Sequence, residues 1–232
     1  YIVLFVILGT LMEFTGTGDV IMDIGKAIAG RYRGGPAKVA SISSALFGSI
    51  SGSAAANVYA TGTFTIPMMK KIGYTPAFSG AVEAVASTGG QLMPPVMGAS
   101  AFLMAELLGV PYIQVCKAAL LPAILYYVSL FIVLDFEAAR MGIKGMDRDE
   151  LPKPADIWPR LYLLIPLVLL IVILVRGFTP FRAAFIAIVV TFALSFLKKE
   201  TRFTLESFVK ATVVSAKRSV MIAAACGSAG II

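Results

Sequence analysis

The chain has 232 residues, 58% of them hydrophobic and 14% charged, with 21 glycines, 12 prolines and several apolar runs near spanning length; this places it among polytopic membrane proteins rather than soluble domains. Its net charge of +7 does not indicate nucleic acid, because Lys and Arg punctuate the apolar segments instead of forming one stripe, the pattern of cytoplasmic loops. With no His, and only Cys116 and Cys226 far apart in apolar surroundings, no zinc-finger spacing or disulfide framework is indicated, and both thiols read as packing residues.

Tyr1 to Met12 reads as part of a spanning helix ending near Glu13. Tyr1 opens directly into an apolar run without a charged leader, and CGSAGII closes inside another run. The chain therefore reads as a fragment of a longer membrane protein, with no signal peptide. Val20 to Tyr32 spaces Val20, Ile21, Ile24, Ala27 and Ile28 at helical intervals with charges between, which predicts an amphipathic helix in the membrane interface. Gly34, Gly35 and Pro36 end it.

Val39 to Met69 is an apolar segment of 31 residues flanked by Arg31, Arg33, Lys38, Lys70 and Lys71. That is too long for one span of about 20 residues and too short for two with a loop. It predicts a re-entrant hairpin whose tip lies in Phe47 to Thr63, FGSISGSAAANVYATGT. Non-helical backbone at membrane depth survives only where protein or a water-filled cavity covers it, so the tip is a binding-site candidate. A second broken element follows: Ala77 to Thr88 is helical in composition, Gly89 to Pro95 (GGQLMPP) interrupts it, and Gly98 to Leu108 resumes. Pro94 and Pro95 lack N–H groups, so a continued helix would leave the carbonyls of Gly90 and Gln91 without donors, available to a cation.

Ala118 to Leu134 is a long span, and Leu161 to Val175 and Ala183 to Leu197 are two more, before a final apolar run. The polar stretches between them hold five, two and six basic residues, the last six being Lys198, Lys199, Arg202, Lys210, Lys217 and Arg218. The first and third should be cytoplasmic. That orientation makes both ends of the hairpin cytoplasmic as well.

In the tip, Ser49, Ser51, Ser53, Asn57, Thr61 and Thr63 offer hydroxyl and amide oxygens, and Gly48, Gly52 and Gly62 let the backbone turn or be approached. Helix packing explains the small residues but not a buried Asn beside three serines, since each polar group needs a partner. At the break, paired half-helix ends present amides suited to a carboxylate and carbonyls suited to Na⁺. Glu83 and Glu106 are acids within the apolar segments of this element. Each has a coupling or proton role on one reading and a structural hydrogen bond on the other. Enzyme readings do poorly: Gly48-Ser49 and Gly52-Ser53 have no His to act as base, and Gly16-Thr17-Gly18-Asp19 has no second intramembrane Asp to pair with.

At FGSISGSAAANVYATGTFTIPMMKKIGYTPAFSGAVEAVASTGGQLMPPVMGAS the chain resembles the large membrane subunit of TRAP (tripartite ATP-independent periplasmic) transporters, most closely the fused-subunit form working with TAXI-type binding proteins. The likeness is strongest from about Gly9 to Asp135, through the lead-in at Arg33 to Lys38, the GSISGSAAAN tip, the TGTFTIPMMKKIGY exit and the GGQLMPP break. The resemblance implies an all-α polytopic membrane protein: the first inverted-repeat half of an elevator-type transporter, with a re-entrant hairpin and a discontinuous helix, plus the start of the second half.

Its parts would be a scaffold transmembrane helix at 1–19, an interfacial arm helix at 20–35, a transport-domain half at 36–135, a cytoplasmic loop at 136–160 and second-half helices at 161–232. The transport half would comprise the hairpin at 39–69, the broken helix at 77–109 and a transmembrane helix at 111–135. The implied Na⁺ ligands are Ser49, Ser51, Gly52, Ser53, Asn57, Thr88, Gly89, Gly90 and Met93. The substrate would lie against Ser53, Asn57, Thr61, Gln91, Pro94 and Pro95. The implied activity is Na⁺-coupled import of small organic acids (dicarboxylates, keto acids or amino acids such as glutamate) across a bacterial or archaeal inner membrane, without catalysis, cofactor or nucleic acid. Partners would be an extracytoplasmic TAXI-type binding protein, membrane lipids and a small membrane subunit fused in the parent chain. A channel or non-transporting scaffold, in which the small residues only pack helices, is the alternative.

Overall fold

The structure is a computed structural model that describes residues 2–198 and 201–229, leaving out the side chains of 2, 99, 221, 222 and 225–229. Among the described residues every regular element is helical. These are α1 (Ile2–Phe14), α2 (Thr17–Ala29), α3 (Gly35–Ser51), α4 (Ala54–Lys71), α5 (Pro76–Gly90), α6 (Ala99–Leu108), α7 (Tyr112–Arg140), α8 (Pro154–Ile157), α9 (Ile165–Val175), α10 (Pro180–Ser195) and α11 (Leu205–Ala229). Among the described residues two segments are long and apolar enough to cross a membrane, Tyr112–Arg140, with 29 residues, and Arg148–Val175, with 28; Val3–Phe14 and Thr17–Ala29, bent by 72°, would make a third if they form one span.

The chain divides into two compact units. One comprises Tyr1–Thr17, Ala99–Val115 and Tyr162–Ile232. Here α1 packs against α10 and α11, and Leu11, Phe203 and Ala211 form a buried cluster. Phe102 stacks on Tyr112 with ring centroids 4.3 Å apart, and Phe5 tilts against Phe102 at 4.7 Å. Arg218 donates to Glu13 at 2.8 Å and to Thr10 at 3.2 Å.

The other unit comprises Gly18–Gly98 and Cys116–Leu161. Its centre is α3, α4 and α5, each packed on the other two. Gly34, at φ 66°, turns the chain into α3, and Pro36 sits in the first turn, where a missing N–H costs nothing. Gly52 ends α3 at φ 63°, its N–H donating to the Gly48 carbonyl at 2.9 Å; this left-handed cap suits glycine. The Ser53 hydroxyl then caps α4 by accepting from Ala56 N at 3.3 Å. Thr75 likewise caps α5, followed by Pro76. The core holds Ala37, Ala40, Met69, Val82, Ala86, Tyr127 and Leu134, so α7 covers this unit too. The Tyr127 and Tyr126 hydroxyls donate to the carbonyls of Ala86, at 2.7 Å, and Val85, at 2.8 Å, on α5.

Several boundaries differ from those predicted by pattern. The amphipathic helix runs from Thr17 to Ala29 rather than Val20 to Tyr32, because Asp19 in its first turn favours the N-terminus there and Gly30 follows its end. The break in the hairpin is two residues, Gly52 and Ser53, and Asn57 to Thr63 are helical. Helix α7 runs on to Arg140, and the loop after it holds 3₁₀ turns at Arg148–Glu150 and Trp158–Leu164. Helix α11 starts at Leu205 and takes in Lys210, Lys217 and Arg218, so half of the last polar stretch is helix. Cys116 is buried as predicted; the side chain of Cys226, and Lys199, lie outside the described residues.

Candidate functional site

The α3–α4 turn meets the residues that follow α5. The Ser49 carbonyl accepts from Val96 N at 3.1 Å, and a Cβ on Gly52 would collide with the Met97 carbonyl oxygen. About one turn deeper, Gly48 and Gly90 bring backbone against backbone: a Cβ on Gly48 would lie 2.5 Å from the Gly90 Cα, and one on Gly90 would lie 2.7 Å from the Gly48 Cα. Asn57, fully buried on α4, borders this crossing and donates to the Ser44 carbonyl at 2.8 Å.

The predicted residues do not all fall in one place. Ser49, Ser51, Gly52, Ser53, Asn57, Gly89, Gly90 and Met93 belong to the hairpin turn or to the end of α5 beside it. Thr61 lies one turn beyond Asn57 and donates to its backbone carbonyl at 2.8 Å. Thr88 is exposed and donates to the Ala84 carbonyl at 2.8 Å, and Gln91 is exposed just past α5. Pro94 and Pro95, joined by a cis peptide, lie in the segment that folds back on the turn. Glu106 is exposed on α6, in the other unit.

The freed carbonyls behave differently from the pattern-based expectation. Gly90 O accepts from Met93 N at 3.2 Å and Gln91 O from Gly98 N at 2.9 Å, so a tight turn before the prolines supplies one donor and the chain past them folds back to supply the other. Each carbonyl oxygen keeps one lone pair. The Ser49 hydroxyl is likewise spent on its own helix, donating to the Leu46 carbonyl at 2.7 Å. The half-buried hydroxyls of Ser51 and Ser53 act as acceptors within the turn. This oxygen-rich set has the hard-donor character that Na⁺ accepts.

A ring of hydroxyls below the crossing escaped the sequence reading. Glu83 is fully buried, and Ser44, Thr61, Thr65 and Ser87 all donate to its carboxylate. The signal was legible as spacing: Asn57, Thr61 and Thr65 recur every four residues along α4, and Glu83 and Ser87 are four apart on α5, so each set forms one stripe of its helix. Above the turn, the contribution of Val96 and Met97 is made by backbone atoms and leaves no mark in side-chain type.

Comparison with known proteins shows the family. The family model of the tripartite ATP-independent periplasmic transporter, DctM component, matches residues 1–232. The C4-dicarboxylate TRAP transporter large permease protein DctM of Pseudomonas aeruginosa is 29% identical over 221 residues, covering 94% of this chain and 51% of its own length. The isethionate TRAP transporter permease protein DctMQ of Oleidesulfovibrio alaskensis is 28% identical over 191 residues, covering 79% of this chain and 29% of its own length. An uncharacterized protein, y4mL, of Sinorhizobium fredii is 32% identical over 204 residues, covering 83% of this chain and 46% of its own length. The chain thus spans about half the length of several curated relatives it matches. It belongs to the DctM component family of tripartite ATP-independent periplasmic transporters, a family of membrane transport proteins and not of enzymes.

Proposed function

We propose that this chain is the first half of the permease of a Na⁺-coupled secondary transporter fed by an extracytoplasmic binding protein, importing small organic acids across the bacterial or archaeal inner membrane. The observation that carries the reading is the Gly48–Gly90 crossing. A helical turn and a helix end are held backbone to backbone there, with Asn57 against both and carbonyl lone pairs left over. Discontinuous helices of this kind build cation and carboxylate sites in transporters. The hairpin would enter and leave from the cytoplasmic side, with α2 as an arm and α3–α5 moving as an elevator.

Na⁺ would be held by oxygens of Ser49 to Ser53, Asn57 and the Thr88–Met93 segment. The substrate carboxylate would sit by Ser53, Asn57, Thr61, Gln91, Pro94 and Pro95. Relatives named for C4-dicarboxylates and for isethionate support an organic anion as cargo. The binding protein would be of the TAXI type, with the small membrane subunit fused in the parent chain.

The test is uptake of labelled dicarboxylates, keto acids and amino acids into proteoliposomes holding the full-length parent, with its binding protein outside, with and without an inward Na⁺ gradient. Uptake that needs both Na⁺ and the binding protein is expected, and it should be lost in a protein carrying Ser51→Ala, Asn57→Ala and Gly90→Ala together. The scaffold reading draws on one observation, that Asn57 and Ser49 already have internal partners. It predicts that Asn57→Ala changes stability and no ion-dependent signal.

A further inference from the structure

Among the described residues Glu83 has no counter-ion. Its carboxylate is fully buried where α3, α4 and α5 meet, and its hydrogen-bond partners are all hydroxyls. Oε1 accepts from Ser44 at 3.1 Å, from Ser87 at 3.1 Å and from Thr61, and Oε2 accepts from Thr65. The charged groups on the same elements are engaged or exposed elsewhere. Lys38 on α3 pairs with Asp135 of α7, Lys71 on α4 pairs with Glu150, and Lys70 and Lys117 are exposed. On α7, Glu137 pairs with Arg140. The titratable group that α7 turns toward this region is Tyr127, whose hydroxyl is given to the Ala86 carbonyl. A buried charge without a partner of opposite sign is costly.

The hydroxyls are arranged so that either charge state is satisfied. Each carries one proton, and Thr65, Thr61 and Ser44 have a second acceptor within reach. Thr65 can donate to Glu83 Oε2 or to the Thr61 carbonyl at 3.1 Å. Thr61 can donate to Glu83 Oε1 or to the Asn57 carbonyl at 2.8 Å. Ser44 can donate to Glu83 Oε1 or to Thr61 Oγ1 at 3.2 Å. With Glu83 ionised, all four hydroxyls turn to the carboxylate. With Glu83 neutral, Oε2–H donates to Thr65 Oγ1, and the Thr65 proton swings to the Thr61 carbonyl. No heavy atom moves and no polar atom is orphaned. A purely structural carboxylate needs only the first of these patterns.

We propose that Glu83 is a reversible proton-binding site in the α3–α4–α5 core, taking one proton from water onto Oε2 and returning it, so that the unit's charge changes by one. None of its hydrogen-bond partners is among the cation ligands proposed above, and Thr61 and Ser44 stand between it and Asn57. The consequence for uptake rests on the transport reading; the protonation itself does not. Infrared difference spectra of the full-length parent in lipid, taken across a pH series, should show a carboxylic acid carbonyl band that grows on acidification and is lost in Glu83→Gln. In proteoliposomes, Glu83→Gln should keep Na⁺-dependent uptake while losing most of the pH response of the wild type.

A pH-responsive band that survives Glu83→Gln, or an uptake pH profile unchanged by it, overturns the proposal. Should Glu83→Gln not fold, Ser87→Ala and Thr65→Val keep the acid and remove one donor each; they must shift the band's midpoint, and an unmoved band overturns the proposal. Uptake indifferent to Na⁺ and binding protein, with the band still present, defeats the transport reading and leaves the proton site standing.

Discussion

Gly48 and Gly90 have no room for a single methyl group. A Cβ at either lies well inside contact distance of the other's Cα, so Gly48→Ala and Gly90→Ala must force the helices apart. Overpacking of this kind costs about 1–3 kcal/mol, and the atoms in conflict are backbone, which yields least. Each variant of the full-length parent is expected to melt well below the wild type in detergent, and equal melting would mean the backbones do not touch. Tyr74 offers the opposite case. It is buried, and its hydroxyl has no hydrogen-bond partner among the described residues; such a group costs about 1–3 kcal/mol. Tyr74→Phe is therefore expected to raise the melting temperature. Burial, helped by the carboxylates of Glu137 and Asp135, pushes the Tyr74 phenol up to about 12. Below its ordinary value near 10 both folded and unfolded chains hold the proton and the stability is full. Between there and about 12 only the folded chain holds it, so stability falls as pH rises through that window. Tyr74→Phe should flatten the alkaline side of a stability–pH curve.

The hairpin turn is decided by two residues. Gly52 supplies a left-handed φ of 63° and lies against the Met97 carbonyl. Gly52→Ala should cost about 1–2 kcal/mol for the backbone alone and more for the collision. Ser53→Ala, which removes only the cap on α4, should cost about 1 kcal/mol. Thermal unfolding of the two variants should rank them in that order, and hydrogen exchange at the start of α4 should rise in both. The sequence suggested a longer irregular tip because it is rich in Gly, Ser and Thr. The helix nevertheless continues from Ala54, since Thr61 and Thr65 bond back to the carbonyls of Asn57 and Thr61 and so satisfy themselves within it. The amphipathic pattern of α2 was legible, and its boundary was not, because a first-turn acid outweighs the last apolar repeat.

Across the second unit, Asp135 near the end of α7 holds both Arg33 and Lys38, the latter only 12% exposed. Asp135→Ala leaves two cations facing one another, whereas Lys38→Met removes the buried charge and leaves Arg33 paired. Asp135→Ala should therefore be the more damaging, with an effect that shrinks in high salt; equal, salt-independent losses would remove the ionic account. The sequence by itself determined the membrane class, the all-helical architecture, the break at the paired prolines and the family. Hydropathy, proline geometry and caps act within a few residues, so they can be read locally. Only the tertiary structure decided that Gly48 meets Gly90, that the Gly90 and Gln91 carbonyls regain donors, and that four hydroxyls from three helices close on Glu83. Those pairings join positions up to 42 residues apart in sequence, as Gly48 and Gly90 are, and residue type alone does not say which buried oxygen will face which.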